Sequence, residues 1–318
     1  MRKSLALQAE LTQAYGTCVF DVTLDCEDGA PVGGELEHAV LVAELATEAL
    51  NKTGAEAARK PRVAVRLHPV QHPAFAQDAR IILGAVGADL CHVMLPKVEC
   101  LADVEQALSV LDAAMQTGTG VPAVPLHCLI ESAQAVQQAH LIAAHPRVQS
   151  LSFGLMDFVS AHGGAIPASA MGFAAEPGPA DALDQFQHPL VLRAKLEIAA
   201  ACHAAGKVPS HCVVTEFKDA ARIEQAARLA CRQLGYTRMW SIHPDQILPI
   251  LRAFAPAEHE LQQACDIILA AQQADWAPIS VHGRLHDRAS YRYYWQVLVR
   301  AYQTGRLPPQ HPAQIFFD

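Results

Sequence analysis

Two patterns alternate along this chain, and that alternation limits its fold more than any other feature. Short, near-continuous apolar runs lie at 17–24, 62–67, 90–95, 126–130, 148–153, 211–215 and 239–242. Longer amphipathic segments lie between them, among them 36–50, 101–115, 133–144, 190–205 and 217–234. A strand that is apolar without a break suits a parallel sheet covered by helices on both faces. Strand–helix repetition therefore predicts an α/β fold with a parallel sheet. Such a sheet closes into a (β/α)8 TIM barrel when it has eight strands. Seven candidates are present, and the chain opens in a helical segment at 3–15, so the first strand is not evident.

Residues 171–188, rich in Pro, Gly and Ala, interrupt the pattern and read as a long loop on the active-site side. Beyond about 242 the repeat stops. Helical patterns follow at 244–254 and 259–274, and then the stretch SVHGRLHDRASYRYYWQVL. This divides the chain into a barrel domain, 1–250, and a C-terminal helical or lid segment, 251–318. With 51% hydrophobic and 18% charged residues among 318, a large core can be buried. A net charge of −8 argues against nucleic acid as a partner. No apolar run reaches the roughly 18 residues that cross a bilayer, and the first residues lack a signal-peptide core. A cytoplasmic protein without membrane contacts is expected. Nine cysteines without a C-x-x-C read as buried thiols, and sixteen histidines without zinc spacing suggest no zinc site.

In parallel barrels the chemistry sits at the C-terminal ends of the strands. Five candidate strands end in residues of catalytic type: Asp25-Cys26-Glu27-Asp28-Gly29, Arg66-Leu67-His68, Pro96-Lys97-Val98-Glu99, Glu131-Ser132 and Leu155-Met156-Asp157. Glu131 and Asp157 end consecutive strands, which lie roughly 4.8 Å apart, so their carboxylates can converge. Two carboxylates without another charged ligand suit Mg²⁺, which keeps several waters and takes substrate oxygens. The competing reading makes each a helix cap, a role that Ser132 also fits. Arg66 can hold a carboxylate or oxyanion in its planar fork, or pair with Asp25 or Glu27, or do both. Lys97 is either a substrate contact or the ion-pair partner of Glu99 or another acid. No G-x-S-x-G, G-x-G-x-x-G or P-loop follows a strand, which counts against hydrolase, dehydrogenase and kinase chemistry.

Taken together, DCEDGA, VRLHP, LPKVE, LIESAQAV, LSFGLMDF and SIHPDQI have the order and approximate spacing of the HpcH/HpaI aldolase and citrate lyase β-subunit-like family. The resemblance covers roughly residues 1–250, with a weaker match at 283–287. It implies a (β/α)8 barrel assembled as a homotrimer or homohexamer, with Mg²⁺ on Glu131 and Asp157. It implies that Arg66 holds the oxo-acid part of the substrate and that Asp25, Glu27 and Asp28 lie near the substrate or the metal's waters. GRLHD resembles a segment that acts on a neighbouring subunit, which makes Asp287 a general acid/base supplied in trans, against the alternative of a surface ion pair with Arg284 or Arg288.

The activity so implied is cleavage or formation of a β-hydroxyacyl thioester of the citryl-, malyl- or citramalyl-CoA type. The sequence departs from the family at several points. His68 replaces an Asn, Ala135 replaces a Gly, the Lys usual after the acid cluster is missing from 31–34, and Arg238-Met239-Trp240-Ser241 stands where a Gly-Lys usually precedes I-H-P. The lost basic residues favour an alternative, a Mg²⁺ aldolase of a free 2-oxo acid adduct without CoA. A barrel that binds an acid metabolite without catalysis and a structural partner in a citrate-lyase-like complex are further readings.

Overall fold

Seven strands hydrogen-bond in strict chain order into one parallel sheet. They belong to a computed structural model that describes residues 1–51, 60–115, 123–174, 182–307 and 311–317. Helix α1 (Arg2–Tyr15) comes first and ends at Gly16, whose φ of 74° only glycine adopts without strain. Then follow β1 (Val22–Asp25), α2 (Glu35–Asn51), β2 (Val63–Arg66), α3 (Phe75–Val86), β3 (His92–Leu95), α4 (Leu101–Ala114), β4 (Leu126–Ile130) and α5 (Ala133–Ala144). The repeat continues through β5 (Val148–Phe153), α6 (Leu155–Ser160), α7 (Pro189–Ala204), β6 (Val208–His211), α8 (Ala220–Gln233), β7 (Arg238–Met239) and α9 (Ile247–Phe254). The fold is thus the expected α/β barrel type. Among the described residues β1 and β7 are the outer strands, one short of the eight that close a barrel. The sheet curls enough for Arg238, opening β7, to reach Asp21, just before β1, at 3.3 Å.

Side chains alternate across a strand, and here the two faces have different jobs. Val22 and Leu24, Val63 and Val65, Val93 and Leu95, Leu126, Cys128 and Ile130, and Leu151 and Phe153 face the helices and join one buried apolar core. Their neighbours Thr23, Asp25, Arg66, His92, Met94, His127 and Ser152 line a cavity of about 820 Å³ on the inner side of the sheet. His127 is fully buried there between Ser150 and Ser152, whose hydroxyls lie 2.8 Å from its two ring nitrogens. Burial holds its pKa well below the usual histidine value, so it stays neutral.

Three expectations about elements change. The sixth strand is Val208–His211 and not 211–215. Pro209 hides it in the sequence, although its carbonyl still accepts from Thr237 N–H. The 171–188 loop opens as a short 3₁₀ turn, Ala168–Met171, while residues 175–181 lie outside the described residues. The boundary expected between 250 and 251 falls inside α9, whose Ile250 and Phe254 pack with Ile223 and Ala227 of α8. Beyond it, α10 (Glu258–Gln273), an antiparallel hairpin of β8 (Ile279–Val281) and β9 (Arg284–His286), and α11 (Arg288–Gln303) gather a separate core around Leu261, Ile268, Tyr291 and Leu298. No described helix is long and apolar enough to cross a membrane.

Candidate active site

At the C-terminal end of the sheet, register places Asp25 of β1 beside Arg66 of β2. Arg66 is 7% exposed and caged by carboxylates. Its Nε and Nη2 donate to the two oxygens of Asp25, each at 2.7 Å. Nη2 also donates to Asp28 at 2.9 Å, and Nη1 lies 2.7 Å from Glu27 Oε2. Burial works against the guanidinium charge, but these three acids outweigh it and raise its pKa. The loop that brings the acids round needs Gly29, where a Cβ would lie 2.9 Å from the Asp25 carbonyl. His38 of α2 holds the same carbonyl, its Nε2–H donating at 2.7 Å.

Lys97 follows β3 with a left-handed φ of 52°, a conformation that costs a non-glycine residue energy and clusters at functional sites. The bend aims its backbone N–H at Glu131 Oε1, 3.2 Å away, while its Nζ donates to Glu27 at 2.6 Å. Its ion-pair partner is therefore Glu27, and not Glu99, whose carboxylate accepts instead from the Ser132 hydroxyl. Ser132 also caps α5, its Oγ accepting from Ala135 N–H at 3.0 Å, which leaves Glu131 free of any capping role.

Glu131 is 6% exposed, whereas Asp157, in the first turn of α6, is exposed. Burial first, and the charge of Asp157 second, push the pKa of Glu131 up to about 8. The side chain lies against Gly154: a Cβ there would come within 2.4 Å of Glu131 Cγ. Glycine is thus a requirement of the close approach. Five carboxylates (Asp25, Glu27, Asp28, Glu131 and Asp157) face two cations, Arg66 and Lys97, so full ionisation leaves three negative charges in excess. A raised carboxyl pKa is what such an excess produces in the absence of a cation. A hard dication on Glu131 and Asp157 would offset most of it, and the oxygen-only donor set suits Mg²⁺.

Of the residues expected from sequence, Asp25, Glu27, Asp28, Arg66, Lys97, Glu131 and Asp157 thus form one connected group. Asp287 is apart from it. Its carboxylate caps α11, accepting from Ala289 N–H and Ser290 N–H, rather than pairing with Arg284 or Arg288. Two members escaped the sequence reading: Gly154, and Trp240, whose ring lies 5.3 Å from the Arg66 guanidinium. The glycine of LSFG was visible as a letter; its service to Glu131 is a matter of packing.

Comparison with known proteins points the same way. A model of the HpcH/HpaI aldolase/citrate lyase family matches residues 22–244. The L-malyl-CoA/β-methylmalyl-CoA lyase of Cereibacter sphaeroides is 30% identical over 287 residues, which cover 88% of this chain and 86% of that protein. A crystal structure of a citrate lyase from Burkholderia xenovorans superposes with a TM-score of 0.77 at 49% identity, covering 99% of this chain and 92% of that one. At 21% identity, and so as a likeness of fold alone, the CitE protein of Mycobacterium tuberculosis in complex with magnesium, acetoacetate and coenzyme A gives a TM-score of 0.59 over 94% of this chain and 95% of its own.

Proposed function

The chain belongs to the HpcH/HpaI aldolase/citrate lyase family, and from that premise we propose the chemistry its site performs. It is a Mg²⁺-dependent carbon–carbon lyase that cleaves or forms a β-hydroxyacyl thioester of the malyl-, citramalyl- or citryl-CoA type. The observation that carries this reading is the excess of carboxylate around a buried Glu131, beside an arginine held ready for an acid substrate.

Cleavage of such a thioester turns the hydroxyl into a carbonyl and releases the acyl fragment as an enolate. When bound to Glu131 and Asp157, Mg²⁺ supplies a Lewis acid for the substrate's oxygens. Arg66 adds a second positive pole for the oxo-acid fragment, held in place by Asp25, Glu27 and Asp28 so that it need not reorganise during reaction. Lys97 neutralises Glu27 and lends its backbone N–H to Glu131, which orients that carboxylate. The enolate carbon needs a proton. We assign its delivery to Asp287 of a neighbouring copy within a homotrimer or homohexamer, since among the described residues of one chain Asp287 hydrogen-bonds only to α11.

A second reading, an aldolase of free 2-oxo acid adducts, draws on the loop after the acid cluster. There Pro31–Gly34 carries no basic side chain for a CoA phosphate, and Val32 is fully exposed. Purified protein should cleave malyl- or citramalyl-CoA with Mg²⁺ and stop when EDTA is added. Turnover confined to free adducts of pyruvate or glyoxylate would favour the second reading, and turnover of neither class would end both.

A further inference from the structure

Arg66 carries five N–H groups. Hydrogen bonds to Asp25 and Asp28 use the N–H of Nε and both of those on Nη2, whereas Nη1 makes an ion pair with Glu27 at 2.7 Å and, among the described residues, no hydrogen bond, so Nη1 is the end left to a substrate. The N–H groups of Nη1 lie in the guanidinium plane, so their direction turns with that plane. The acids grip the edges of the plane. The guanidinium carbon lies over the ring of Trp240, 5.3 Å from its centroid and within cation–π range.

Trp240 is itself firmly placed. It follows β7 directly, and its backbone N–H donates to the His211 carbonyl at 3.0 Å, which ties the chain there to the end of β6. The turn behind it is fastened by Gln246, which is 1% exposed. The Gln246 amide donates to the Val214 and Glu216 carbonyls at 2.8 and 2.7 Å. Its oxygen accepts from Ile242 N–H at 2.9 Å, and from Ser241 Oγ and His243 N–H at 3.2 Å each. A fully used, buried amide of this kind rigidifies what it holds. The indole lines the same cavity as Asp25, Asp28 and Arg66.

The geometry points to Trp240 as the positioning and specificity residue of the acid end of this site: it fixes the plane of Arg66 and walls off the space beside it, so that only a short 2-oxo acid fragment fits. This rests on the lyase reading above. An acid with a small substituent can reach Nη1 alongside the indole. One with a propyl chain meets a wall that cannot withdraw, because the turn behind it is pinned.

The test is calorimetric titration of pyruvate and of 2-oxovalerate into the full chain with saturating Mg²⁺. Wild type is compared with Trp240→Phe, Trp240→Leu and Trp240→Met. Wild type should prefer pyruvate, and Trp240→Phe should stay within about threefold of it, since the aromatic face is kept. The Leu and Met variants should bind pyruvate about tenfold more weakly and should narrow or reverse the preference over 2-oxovalerate. Two non-aromatic variants keep the test open if one fails to fold. Wild-type pyruvate affinity in a folded Leu or Met variant overturns the assignment, and so does a Phe variant as weak as those two. Failure of wild type to bind either acid removes the lyase reading beneath it, a distinct result.

Discussion

Glu131 concentrates the electrostatics of the site, and its titration gives a sharp prediction. In the metal-free protein burial and Asp157 raise its pKa to about 8, against about 4.3 for an exposed glutamate. Between those values the folded chain keeps a proton that the unfolded chain has lost, so stability falls as pH rises from about 4.5 to 8. Thermal denaturation in EDTA across that range should show this decline, and Glu131→Gln should flatten it. Equal slopes would mean that Glu131 is not the group responsible. A second prediction concerns Gly154. The added methyl of Gly154→Ala meets Glu131 Cγ at 2.4 Å, so it should leave the fold intact by circular dichroism and cut Mg²⁺ affinity at least about tenfold. Unchanged affinity would show that the glutamate has room to spare. Glu131, Asp157 and Arg66 were legible in the sequence because each ends an apolar run. Their partners were not: whether Lys97 turns to Glu99 or Glu27 depends on the curl of the sheet and on a left-handed φ at Lys97, and neither leaves a trace in composition.

At the scale of elements, β4 and β5 appear at the bounds that their runs predict, since Leu126, Cys128, Ile130, Leu151 and Phe153 join the outer core and the polar His127, Ser150 and Ser152 fall between them. Strand β6 was displaced because Pro209 and Ser210 read as loop, while the hairpin β8–β9 is too short to show any period. Helix α6, six residues long, was hidden for the same reason, yet it carries Asp157. Asp287 allows structural and chemical roles to be separated. As the cap of α11 it should tolerate Asn, which caps as well as Asp does, whereas Asp287→Ala should lose about 1 kcal/mol in urea unfolding. If it is also the proton donor, Asp287→Asn abolishes turnover at unchanged stability. A fully active Asn variant would leave it a cap and nothing more. Ser132→Ala should likewise cost about 1 kcal/mol through the lost cap of α5, read from the same unfolding curves. No measurable loss would mean that water replaces the serine.

At the scale of the molecule, a parallel sheet collects the polar ends of β1 to β5 at one rim, while its outer face merges with the helices into one core. That organisation was legible from the alternation of patterns. The separate C-terminal core, which in our reading starts after α9, was visible only as the place where the repeat stops. The assembly we propose brings the Asp287 of one copy to the rim of another, and light scattering of the purified chain should give the mass of a trimer or hexamer; a monomer that is fully active would exclude a donor in trans. In our proposal Glu131 and Asp157 hold Mg²⁺ at this rim. Its most direct test is calorimetric titration of Mg²⁺ into EDTA-stripped protein with saturating oxalate, beside Glu131→Gln and Asp157→Asn. Wild type should bind the ion, and each variant should lose at least about tenfold in affinity, roughly 1.4 kcal/mol. Wild-type protein that takes up no Mg²⁺, or variants that bind it equally well, would contradict it.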